Sequence, residues 1–201
     1  MINIYHKKLD EIWYAAALED DKVIATNFGS NESKVVKQLM ESLPYNTPFQ
    51  MAEKSNHLAE KLLTTLKSMF TGENVSSDFK FEMEHLHKYS KKVLAVLAKV
   101  PVGYVTTYGA LAKATGGGPR AVGNVMAANP FAPLIPCHRV VRSDFRLGGY
   151  GGGLGTKRKI LEREDRGYRE ESKINVDGAV LAVYPVGFLW KDRNLGRGKI
   201  L

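Results

Sequence analysis

The sequence predicts an α+β fold. Three observations predict it: interrupted apolar stretches near the start, two apolar runs at helical spacing after them, and a later pair of short helical patterns joined by glycines. At 201 residues the chain has room for one to two domains and can bury a core without disulfide or metal staples.

Ile12, Tyr14 and Leu18 lead to a break at Glu19-Asp20-Asp21, and apolar residues resume at Val23, Ile24, Ala25 and Phe28, which reads as strand, turn and strand. Val35, Val36, Leu39, Met40 and Leu43 then fall at helical spacing, with Ser33 as the cap and Pro44 as the stop. Leu58, Leu62, Leu63, Leu66 and Phe70 repeat the pattern. The polar run 71–77, with Gly72, marks a boundary, so residues 1–77 form a small α/β unit without evident chemistry.

A second unit, 78–173, opens with an extended stretch at Phe79, Phe81 and Met83. A helix follows over 90–100 and ends at Pro101. Thr106 or Thr107 caps a short helix that closes at Thr115 and Gly116-Gly117-Gly118. Pro119 then starts another, with Val122, Val125 and Met126 as its buried stripe, until Asn129-Pro130. Two short helices on a glycine turn, with Arg120 at the head of the second, are what a helix-turn-helix needs, although any helical hairpin shows the same pattern. In the remaining stretch, 174–201, Ile174, Val176, Asp177-Gly178 and Val180 suggest a hairpin; Phe188-Leu189-Trp190 is apolar and 193–199 is basic.

Charge is unevenly placed. The net +8 divides into −2 over residues 1–80, with 9 Lys, no Arg and 11 acids, and +10 over 81–201, which hold all ten arginines. Between His85 and Leu161 twelve basic residues face one acid, Asp144. Such a one-sided field suits a phosphate-binding surface, and a basic domain with no polyanion partner is the bland alternative. No stretch approaches the ~20 apolar residues of a bilayer span, and Met1 leads into polar residues rather than a signal core, so a soluble, cytoplasmic protein is expected.

One cysteine, Cys137, can neither close a disulfide within the chain nor supply a multi-thiolate zinc site. It is either an inert buried residue or the centre of the chemistry. His138 stands next to it in the most basic part of the chain, and a base with positive potential favours a thiolate. On a regular strand the two side chains would point apart, so either Pro136 bends the chain or a water carries the proton. A third group would orient the imidazole, and Glu164 is a candidate.

The run Ile135-Pro136-Cys137-His138-Arg139-Val140-Val141 resembles the active-site motif of the O6-alkylguanine-DNA alkyltransferases, also called methylated-DNA:protein-cysteine methyltransferases. The resemblance covers most of residues 80–170: Val102-Gly103, Thr107-Tyr108-Gly109, Arg120-Ala121-Val122-Gly123, Asn129-Pro130, Gly149-Tyr150-Gly151-Gly152-Gly153-Leu154, and Lys157 to Glu164. It implies a ribonuclease H-like N-terminal α/β domain and a winged-helix-like C-terminal domain whose helix-turn-helix enters the minor groove. The implied activity is a suicide repair: an alkyl group passes from O6-alkylguanine, and from O4-alkylthymine, in duplex DNA to Cys137, with the base flipped out. No cofactor or metal is implied, and the partner is double-stranded DNA met by a monomer.

The same resemblance assigns roles. Cys137 accepts the alkyl group, His138 is its water-mediated base, Glu164 polarises His138, and Tyr108 donates to the departing guanine. Arg120 replaces the flipped base in the stack and Met126 packs on it. Val140, Tyr150 and the backbone N–H of Gly151 contact it, and Asn129 ties the recognition helix to the active-site turn. Many relatives have Ser where this chain has Gly151. Residues 174–201 run past the usual end of the family. Other readings are a DNA-binding sensor without transfer, against which Cys137 argues, and a thiol hydrolase, for which no oxyanion hole is identifiable. A metal held by His85 and His87 lacks further ligands at a set spacing.

Overall fold

A computed structural model describes residues 1–75 and 78–193. Three antiparallel strands, β1 (Ile2–Leu9), β2 (Ile12–Glu19) and β3 (Lys22–Gly29), form the centre of a five-stranded sheet. The strands β4 (Phe49–Met51) and β5 (Lys80–Phe81) add parallel at the two edges. Both tight turns place an Asp at positive φ, Asp10 and Asp20 at 53° each, a conformation that Asp tolerates better than most residues. The period of two divides β2 between two cores. Ala15 and Ala17 face helix α1 (Glu32–Glu41), whereas Tyr14, Ala16 and Leu18 share a cluster with helix α2 (His57–Phe70). The cap of α1 is Asn31, not Ser33: its side chain accepts from the Lys34 N–H at 2.9 Å, which puts Ser33 inside the first turn. The strand β1 was hidden in the sequence by its polar run His6-Lys7-Lys8 and exists through its pairing with β2.

The second part begins with α3 (Lys88–Leu97), β6 (Tyr104–Thr107), α4 (Tyr108–Thr115) and α5 (Pro119–Ala127). Thr107 caps α4, accepting from Ala110 N–H at 3.0 Å, and Pro119 opens α5 behind Gly118. A single 3₁₀ turn at Cys137–Arg139 leads into β7 (Val140–Val141), followed by α6 (Leu154–Glu164). The hairpin β8 (Ser172–Val176) and β9 (Ala179–Pro185) lies in the predicted extension and starts two residues earlier than expected. Through β9 it pairs antiparallel with β6, giving a four-stranded sheet of order β7-β6-β9-β8. A 3₁₀ segment, Val186–Arg193, follows. The basic run predicted at 193–199 lies outside the residues whose side chains are described.

Contacts between the two parts fix the segment that precedes Cys137. The Thr26 N–H donates to Pro130 O at 2.8 Å and its hydroxyl to Ala132 O at 2.9 Å, while the rings of Phe81 and Phe131 meet edge-on at 4.9 Å. On the far side Arg163 donates to Phe70 O at 2.9 Å with its guanidinium 4.6 Å from the Phe70 ring centre. Arg166 bonds the carbonyl of Gly72. The active-site turn is thus anchored to the first sheet rather than carried on a free loop.

Candidate active site

A 3₁₀ turn, not a regular strand, carries the adjacent Cys and His. Pro136 holds ψ at 68°, neither strand nor helix, and the chain turns at Cys137 before β7 begins. Cys137 is 7% exposed and His138 fully buried. The thiol lines two cavities. A smaller one, about 260 Å³, is bounded by Tyr108, Gly123, Met126, Ala127, Cys137 and Gly149–Gly151. A larger one, about 460 Å³, shares Met126, Cys137, Tyr150 and Gly151 and runs past Asn129 and Ala132 towards Thr26 and Phe28. Their volumes lie at the lower end of, or just below, the roughly 300–1,000 Å³ of small-molecule sites.

Behind the thiol lies a buried ionic cluster. Glu164 Oε1 meets His138 Nε2 at 3.0 Å and accepts from Arg139 Nη2 at 2.7 Å, while Oε2 accepts from Arg139 Nε at 2.9 Å. Arg139 also donates to Val100 O at 2.6 Å. Burial acts to raise the Glu164 carboxyl, but the imidazole and the guanidinium outweigh it and hold the group at about 2. An ionised Glu164 only accepts, so His138 carries its proton on Nε2. Burial lowers the His138 pKa despite Glu164, which keeps the ring neutral. Its other nitrogen, Nδ1, is buried and has no hydrogen-bond partner. A neutral imidazole of fixed tautomer with an unsatisfied lone pair is a base awaiting a donor.

Burial pushes the Cys137 thiol up, while a hydrogen bond from Asn129 and the charge of Lys157 pull it down without cancelling the effect. Lys157 is fully buried, and burial lowers its pKa to about 8. Its ammonium group donates to Val140 O at 2.7 Å, Leu147 O at 2.5 Å and Gly149 O at 3.4 Å, tying the cavity loop to β7. Burial and the neighbouring Cys137 raise the Tyr108 and Tyr150 phenols, which remain protonated donors at neutral pH.

The Asn129 amide donates to Ile135 O at 2.9 Å and its oxygen accepts from Phe131 N–H at 3.1 Å. Arg120 is exposed at the head of α5 and shares an open depression with Tyr108 and Arg142. Val140 lines neither cavity; its side chain is buried and its carbonyl faces Lys157. Sequence reasoning gave no role to Arg139 or Lys157. The signal for Lys157 was present: 157, 160, 161 and 164 form one helical stripe, and Lys157 and Glu164 share it with Ile160 and Leu161.

The family model described as 6-O-methylguanine DNA methyltransferase, DNA binding domain, matches residues 88–166. A methylated-DNA–protein-cysteine methyltransferase of Metallosphaera sedula is 35% identical over 146 residues, 73% of this chain and 82% of that relative. One of Methanothermobacter thermautotrophicus is 38% identical over 106 residues, 52% of this chain, and the match spans 60% of that relative's length. The crystal structure of the O6-methylguanine-DNA methyltransferase of Pyrococcus kodakaraensis superposes with a TM-score of 0.67 at 29% identity, covering 82% of this chain and 99% of that one. The motif, the buried cluster behind it and these likenesses agree, and the chain belongs to the methylated-DNA–protein-cysteine methyltransferase family.

Proposed function

We propose that this protein repairs O6-alkylguanine, and O4-alkylthymine, in duplex DNA by moving the alkyl group once and irreversibly to Cys137. The observation that carries this reading is a cavity-lining thiol followed in the chain by a buried, neutral imidazole whose Nδ1 is unsatisfied. A water between Nδ1 and Sγ takes the thiol proton, and Glu164 stabilises the resulting imidazolium. The sulfur attacks the alkyl carbon, an S–C bond forms, the C–O6 bond breaks, and its electron pair passes to the guanine. Tyr108 then donates a hydrogen bond or proton to the leaving base. A thioether has no easy return path, so each chain acts once.

Arg120, exposed at the head of α5, occupies the gap left by the flipped base, and the exposed basic residues around it hold the phosphates. Met126, Tyr150 and the Gly151 N–H receive the base, which fits their place in the cavity lining. Val140, expected as a base contact, is not kept as one, because it lines neither cavity and its carbonyl and N–H are engaged by Lys157 and by Cys137 O. We read residues 1–77, whose sheet gains its edge strand β5 from the following segment, as ribonuclease H-like and 78–173 as a winged-helix domain, supported by a β6 strand between α3 and the helix pair. The working form is a monomer in the cytoplasm without a cofactor, and no described helix is long and apolar enough to cross a membrane.

The test is to incubate the protein with a duplex carrying labelled O6-methylguanine and weigh it. One alkyl group per chain, on Cys137, is expected, and Cys137→Ala should bind the duplex without taking label. DNA binding without transfer by the wild type would leave a sensor. Labelling of another residue would displace Cys137 from its role.

A further inference from the structure

The loop between β7 and α6 forms one wall of both cavities, through Gly149, Tyr150 and Gly151 in the smaller and Tyr150, Gly151 and Gly152 in the larger. It is held in an uncommon conformation. Phe145 adopts φ 57°, which is costly for a bulky side chain, and persists only when its surroundings over-determine it. Local hydrogen bonds shape the turn: Phe145 N–H to Arg142 O at 3.0 Å and Arg142 N–H to Arg146 O at 2.9 Å. The Phe145 ring, however, is gripped from the C-terminal extension. It meets Tyr184 of β9 edge-on at 5.2 Å and Phe188 edge-on at 5.7 Å. Phe145, Leu147 and Tyr184 pack against one buried cluster made of Val105, Val141, Leu161, Val186 and Leu189.

From Phe145 the contacts lead on to the reacting groups. Lys157 clamps the carbonyls of Leu147 and Gly149. Gly148, at φ 68°, lies so close to Tyr108 that a Cβ there would sit 3.1 Å from Tyr108 Cε2. A shift of the loop therefore moves both the cavity wall and the ring of Tyr108.

We propose that the C-terminal extension is a brace for the alkyl-transfer site, with Phe188 and Tyr184 acting through Phe145 as positioning residues for the 145–150 wall. This rests on the repair reading above. The extension serves the transfer step by fixing the cavity, and it does not serve DNA affinity.

The test uses the full chain in single-turnover transfer from an O6-methylguanine duplex, over a range of DNA concentrations. Phe188→Ala should lower the limiting rate about tenfold, of the order of one or two aromatic contacts, with half-saturating DNA changed less than about twofold. Phe188→Tyr should restore the rate. Phe145→Leu, which loses the Tyr184 contact as well, should be at least as slow as Phe188→Ala, and the double variant should be no slower than Phe145→Leu alone, because the Phe188 contact is already gone there. Hydrogen exchange at the amides of Arg142 and Phe145 should quicken in these variants while the first sheet is unchanged. An unaltered limiting rate in Phe188→Ala, a loss confined to DNA affinity, or multiplied losses in the double variant would each overturn the brace. If Phe188→Ala does not fold, Phe188→Leu carries the same comparison. A wild-type chain that takes no label at all would refute the repair reading instead.

Discussion

Glu164→Gln tests the ionic cluster most directly. The carboxylate accepts three charge-assisted hydrogen bonds with all partners at least 94% buried, Arg139 being the most exposed at 6% on its side chain. Gln supplies one accepting oxygen and an NH₂ group that must face either the guanidinium or Nε2. Facing the guanidinium, it sets donor against donor and leaves a buried cation unpaired, at a cost of about 3–5 kcal/mol. That is a large part of a typical stability of about 10 kcal/mol, but leaves the protein folded. Facing Nε2, it drives the ring proton to Nδ1 and removes the base. Positioned bases contribute roughly 10²–10⁴-fold, so transfer should slow by about 10² or more. Urea unfolding and single-turnover transfer on the same preparation measure both effects. A variant with an unmoved midpoint and a rate within about twofold of wild type would refute the reasoning, since less than about 0.5 kcal/mol would then depend on the carboxylate.

Tyr108→Phe should slow transfer roughly tenfold to a hundredfold with little change in unfolding midpoint, because the phenol is half-buried and bonded to no protein group required for folding; an equal rate would remove it as donor. Arg120→Ala should slow repair of duplex DNA but leave alkylation by free O6-benzylguanine unchanged, and equal losses on both substrates would place the arginine in the cavity chemistry. Acid should destabilise the fold in two steps with one sign. His138, ordinarily near 6.5, is lowered by burial, so the unfolded chain takes a proton that the native one refuses as pH falls below that value. Glu164, held at about 2 against an ordinary 4.5, contributes roughly 3 kcal/mol above pH 4.5 that is lost as pH falls towards 2. Unfolding midpoints across this range should decline steadily, and Glu164→Gln should flatten the lower step; a flat wild-type profile from pH 7 to 3 would contradict both.

Much of the fold was legible because its helices are amphipathic and its breaks carry Gly, Pro and Asn. Thr107, Pro119 and Asn129 act where their residue types say they should. What stayed hidden depends on tertiary context. The strand β1 has charged residues that only its partner strand explains, and the cap of α1 was misread by two residues because both Asn31 and Ser33 are good caps. At the site, Cys137, His138 and Glu164 were nameable from the motif, whereas the contact between His138 and Glu164 is made across 26 positions of chain. Lys157 and Arg139 were not, since a charged side chain reads as solvent-facing until its partners are known. The role of Phe145 lies further out of reach: it depends on an aromatic pair formed with a segment some forty residues later.

The pairing of β9 with β6 has a consequence for biosynthesis. Thr106 Oγ1 donates to Ala182 O across 76 positions, so the sheet behind Tyr108 is completed only by a strand translated well after it. The first sheet can assemble on the ribosome early, but the half that bears the thiol has to wait until β9 has emerged. A nascent chain stalled before residue 179 would therefore carry a finished amino-terminal half and an alkyl acceptor not yet competent.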